Sequence, residues 1–152
     1  MSISVYNAVP MTLNDGETQH QFTLKLNPAT DSFRLENSSI RRNIFIGKRM
    51  FSNLFQQIRN EYGFVLGRIH YDNEEMRYGS ATTAEHEHFR FALKENNGIE
   101  VQLEDEAVPG KKFTASVPYH YENASEKAMQ LQTIIPSVLA ALIYIKAMHP
   151  AM

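Results

Sequence analysis

Polar and apolar residues alternate from the first positions of the chain, Ile3 and Val5 with serines, then Phe22, Leu24 and Leu26 with Gln21, Thr23 and Lys25. A period of two marks a half-buried strand, because successive side chains point to opposite faces. The run Asn27-Pro28-Ala29-Thr30-Asp31 supplies turn formers, so Phe33 and Leu35 are expected on the returning arm of a hairpin. After Asn37-Ser38-Ser39 the spacing changes. Ile40, Ile44, Phe51, Leu54, Phe55, Ile58 and Tyr62 follow steps that suit one helical face. This predicts a helix over Arg49 to Tyr62 that Gly63 ends with a left-handed cap. Asn43-Ile44-Phe45-Ile46 fits either the beginning of that helix or a short strand.

From Phe64 the two-residue period returns, over Phe64–Tyr71, Glu75–Tyr78, His86–Lys94, Ile99–Glu104 and Phe113–Tyr121, as in an antiparallel meander. Phe89, Phe91 and Leu93 pair by pattern with Ile99, Val101 and Leu103 across the turn Asn96-Asn97-Gly98. Their aromatic face is read as core, the usual place of such side chains, rather than as a platform for stacking bases. Asn123, with Glu126 three residues on, caps a final helix reaching about Met148, and Pro136 predicts a kink or break near Thr133 to Pro136. From Val138 to Ile145 that helix is apolar on nearly every side. Such a helix needs cover all round, from sheet plus helix or from a second copy of the chain in a homodimer. The pattern therefore predicts one α+β domain spanning residues 1–152. Its antiparallel curved sheet has about five to seven strands, one central helix, and a long, Pro-kinked C-terminal helix packed on one face.

Composition changes this picture little. The chain has 152 residues, 43% hydrophobic and 21% charged, which suits one globular core rather than a disordered segment. It contains no cysteine, so disulfides, thiolate metal sites and a cysteine nucleophile are excluded, and a reducing, cytoplasmic setting is expected. The longest apolar run, Ile134 to Ile145, is shorter than the roughly 20 residues of a spanning helix, so no membrane association is expected.

Charge is more informative. The net value is −2, yet residues 38–71 carry Arg41, Arg42, Lys48, Arg49, Arg59 and Arg68 against Glu61 alone. That segment is about +5 and the remainder about −7, an asymmetry suited to electrostatic docking. Arg41, Arg42, Lys48 and Arg49 would crowd the positive end of the predicted central helix, and an acidic partner, a phosphate backbone or the chain's own Glu104-Asp105-Glu106 would relieve them. The acidic run is itself a candidate contact for a basic protein, and Leu142, Tyr144 and Ile145 are candidates on the apolar helix.

Motifs for chemistry are few. The chain has no glycine-rich phosphate loop and no nucleophile elbow. His86 and His88, if both lie on one strand, share a face about 7 Å apart where two imidazoles would share a metal, with His70 and His120 on other predicted strands as further ligands. A solvated strand face accounts for the same histidines. The leading expectation is a non-enzymatic interaction protein, of the inhibitor, assembly-chaperone or adaptor kind, that needs no cofactor and binds a protein partner. A nucleic-acid-binding module using the basic 38–71 segment is the first alternative, and a metal- or ligand-dependent enzyme at His86 and His88 the second.

Overall fold

The computed structural model describes residues 8–50, 53–95, 98–118 and 124–148, with the side chains of residues 28, 124, 126–130 and 148 left aside. Ten antiparallel strands close into a barrel. They are β1 (Ala8–Asn14), β2 (Gln19–Asn27), β3 (Ser32–Glu36), β4 (Arg41–Ile46), β5 (Phe55–Asn60), β6 (Val65–Tyr71), β7 (Tyr78–Thr83), β8 (His88–Glu95), β9 (Ile99–Asp105) and β10 (Lys112–Val117). Each strand pairs with the next, and β10 closes the ring by pairing Ser116 with Thr12 of β1. One helix, α1 (Ala124–Met148), follows.

Alternation decides which side chains point inward. Val9, Met11 and Leu13 of β1, Phe22, Leu24 and Leu26 of β2, and Phe89, Phe91 and Leu93 of β8 are all buried, with exposed or half-buried residues between them. The lumen they line is occupied by α1. Every residue from Ile134 to Lys146 is buried, on all sides of the helix. Ten strands enclose more room than the eight whose own side chains fill a barrel, and a helix with its side chains needs about 10–12 Å.

The helix leans on β6 and β7, where the wall is thinned by small residues. A Cβ at Gly67 would stand 2.7 Å from Cγ2 of Ile143, and one at Gly79 would stand 2.6 Å from Cε2 of Phe91. Ala81 is the next inward residue of β7. At the far end Lys146 is carried over the ring of Phe113, its ammonium 3.8 Å from the centroid. Burial there, with Lys111 close by, pushes its pKa down.

This architecture corrects the expected one. The sheet is closed and has ten strands rather than five to seven, and among the described residues there is no central helix, because residues 55–60 form β5. The helical spacing over Arg49 to Tyr62 misleads because an inward position of β5 is polar. Gln56 is buried between Gly47, whose carbonyl accepts its Nε2 at 3.1 Å, and Tyr71, whose hydroxyl donates to its Oε1 at 2.6 Å. With both ends satisfied, an amide sits in the core without penalty, and the apolar alternation is lost from the sequence.

Asn43 to Ile46 takes the strand alternative, within β4. Nor does α1 lie on one face of a sheet or break at Pro136, being assigned as one helix throughout. The carbonyl that Pro136 leaves without an N–H belongs to Gln132, an exposed residue at the barrel mouth where solvent can replace the bond. The hydroxyl of Ser137 donates to the Thr133 carbonyl at 2.9 Å. Because the chain's own barrel covers Val138 to Ile145, the apolar helix calls for no second copy. The Asn96-Asn97 turn and the Asn123 cap lie outside the described residues.

Two substitutions test this core. Gly67→Val should lower the free energy of unfolding by at least about 1–3 kcal/mol in urea titrations, because the helix blocks the added side chain. Gln56→Leu should cost about 1–3 kcal/mol by stranding the Tyr71 hydroxyl, and adding Tyr71→Phe should recover most of that loss.

Candidate functional site

With the lumen filled by the chain itself, surfaces for function lie on the outer wall and at the two barrel ends. One end carries the β2–β3, β4–β5 and β6–β7 connections and the point where α1 enters. The other carries the β1–β2, β3–β4, β5–β6, β7–β8 and β9–β10 turns. This division separates cations that are close in sequence. Arg41 and Arg42 begin β4 at one end, whereas Lys48 and Arg49 follow its last residue at the other, a strand length of about 20 Å away. Arg41 pairs with Glu36 at 3.4 Å and Arg42 with Glu61 at 3.8 Å. The four cations form no single cluster, and the central helix they were expected to cap is a strand.

The acidic run sits at the same end as Arg41 and Arg42 but across the barrel from them, since β9 and β4 are five strands apart. Its members shape their own turn. Glu104 accepts the Gly110 N–H and lies 3.9 Å from Lys112, and Asp105 accepts the Ala107 N–H at 2.8 Å. Leu142, Tyr144 and Ile145, expected at a binding face, are buried inside the lumen.

The histidines are not brought together. His86 is an exposed turn residue with φ of 64°, outside β8, so it does not share a strand face with His88. His88 faces outward with its Nδ1 3.2 Å from the Thr82 hydroxyl. His70 pairs with Ser80 on β7, two residues along from Thr82, and His120 lies outside the described residues. Among the described residues no three His, Asp or Glu side chains stand close enough to hold a metal ion.

The most distinctive surface includes Tyr62, which the helical spacing had placed on a buried face. Phe45, Arg59 and Val65 are direct neighbours across β4, β5 and β6, all pointing outward. The β5–β6 turn beside them presents Tyr62 and Phe64, which are 76% and 69% exposed. The turn is built rather than slack. Oδ1 of Asn60 accepts the N–H groups of Tyr62 and Phe64 at 2.9 and 3.0 Å, and Gly63 supplies the φ of 85° that carries the chain round.

Arg59 is held across this surface, donating to the Gly63 carbonyl at 3.0 Å and to Oε1 of Gln57 at 2.5 Å. Arg68 lies opposite Gln57 on β6. Counting Arg42, Arg59 and Arg68 against Glu61, the surface carries about +2. Its visible sequence signal is the turn Asn60-Glu61-Tyr62-Gly63-Phe64, whose Asn and Gly mark a hairpin connection as well as a helix end.

Among the described residues no helix is long and apolar enough to cross a membrane. No protein-family model, no curated protein and no solved structure matches the chain.

Proposed function

We propose that this protein is a non-enzymatic interaction module that binds an acidic, partly apolar segment of another protein on the β4–β5–β6 wall and the Tyr62–Phe64 turn. The observation that carries this reading is the pair of large aromatic side chains held in solvent by a hydrogen-bonded turn. They gain nothing from the fold, and aromatic residues beside arginine are the usual anchors of protein interfaces. The charge of the surface selects the partner. Two copies of a +2 surface repel, and an acidic segment is attracted to the guanidinium groups of Arg42, Arg59 and Arg68. The nucleic-acid reading has less support, since Arg41 and Arg42 stand at one barrel end and Lys48 and Arg49 at the other, leaving no continuous basic track among them.

The test uses fluorescence anisotropy with a labelled peptide of alternating glutamate and leucine, the same peptide with lysine for glutamate, and a labelled oligothymidine. The acidic peptide should bind, and a Tyr62→Ser/Phe64→Ser variant should weaken it at least about tenfold, equal to about 1.4 kcal/mol. Arg59→Gln should weaken it too and flatten its salt dependence. Equal binding of the lysine peptide, tighter binding of the oligonucleotide, or an unaltered double variant would each overturn the proposal.

A further inference from the structure

At the end of the barrel opposite the Tyr62–Phe64 turn, the emergence of α1 leaves a cavity of about 360 Å³. Leu26, Ile46 and Pro136 give it apolar walls, Gln56 and Ser137 line it, and Lys48 and Arg49 stand at its edge. The volume falls in the range of roughly 300–1,000 Å³ in which small-molecule pockets lie. It is also pre-formed: the Gln56 amide is fixed at both ends by Gly47 and Tyr71, and Ile46 N–H donates to the Asp31 carbonyl at 2.8 Å.

The arginine is the informative group. Arg49 is half-buried, and no carboxylate of the described residues lies within ion-pair distance of it. The partner of its Nη1 is instead the sulfur of Met76 at 3.2 Å, a weak acceptor. Met76 is buried and holds a φ of 63°, a backbone conformation that costs a non-glycine residue on the order of 1–3 kcal/mol. Among the described residues the thioether is the one hydrogen-bond partner of this guanidinium, and the rest of its donor fork meets no stronger acceptor.

We propose that this cavity binds a small organic monoanion, with a carboxylate on Arg49 and Lys48 and a short apolar body against Leu26, Ile46 and Pro136. A guanidinium fork fits a carboxylate through two parallel hydrogen bonds. The balance of Lys48 and Arg49 against Asp31, the acid that lines the same cavity, is +1, which matches a monoanion better than the dianion of a phosphate monoester.

Isothermal titration calorimetry with hexanoate, hexanol and inorganic phosphate separates the contributions. Hexanoate should bind with a Kd of about 1 mM or tighter, and hexanol and phosphate, which each lack one half of the ligand, at least about tenfold more weakly. Arg49→Met, which keeps the packing against Met76, should weaken hexanoate at least about tenfold, and Lys48→Met, at an exposed position, should weaken it with the fold intact by circular dichroism. No heat from hexanoate, equal binding of hexanol or of phosphate, or hexanoate binding unchanged in both variants would overturn the proposal. The Tyr62→Ser/Phe64→Ser variant should bind hexanoate as the unaltered protein does, which keeps this site separate from the peptide surface.

Discussion

A helix with no polar face can persist in water only where something encloses it completely, and everything else in this fold follows from how that enclosure is made. Ile134 to Lys146 bury every side chain, so the barrel must be closed and wide enough for a helix. Ten strands provide the width, and Gly67, Gly79 and Ala81 thin the β6–β7 wall where the helix approaches it. The helix in turn replaces the side chains that would otherwise have to fill the lumen. Neither part has a core without the other, since the barrel's inward residues pack on the helix and the helix residues pack on the barrel.

This mutual filling determines where function can reside. Because α1 fills the lumen, the two surfaces proposed for binding lie on the outer wall and at a barrel end. The Tyr62–Phe64 turn and the cavity beside Arg49 are two places where the structure departs from what stability alone requires. At the first, apolar surface is exposed by a hydrogen-bonded turn; at the second, a guanidinium that lines the cavity has a thioether rather than a carboxylate for its neighbour. They lie at opposite ends of the barrel.

Much of the strand content was legible. The hairpin of Phe89, Phe91 and Leu93 with Ile99, Val101 and Leu103 forms as its alternation indicates, and those residues point inward. Two strands escaped for opposite reasons. β5 hides a buried amide, Gln56, at an inward position, and only the distant Tyr71 and Gly47 make that amide tolerable. β7 reads Tyr-Gly-Ser-Ala-Thr-Thr and lacks large inward residues, the space at Gly79 being taken by the Phe91 ring. The candidate sites were less legible still. Lys48 and Arg49 were named, but as part of a four-cation cluster that the length of β4 divides, and Tyr62 was read as part of a buried stripe.

The sequence by itself determined the local quantities: the two-residue period of most strands, the turn residues between them, the helical character of the C-terminal segment, and the fact that this segment must be covered on every side. These depend on neighbours within a few positions, where the spacing of side chains translates directly into faces. The tertiary structure alone decided that the sheet closes, that the cover is the chain's own barrel, and which charged and aromatic side chains meet. Those outcomes rest on contacts between residues far apart in the chain, such as Thr12 with Ser116, Gln56 with Tyr71 and Gly67 with Ile143, for which no local period exists.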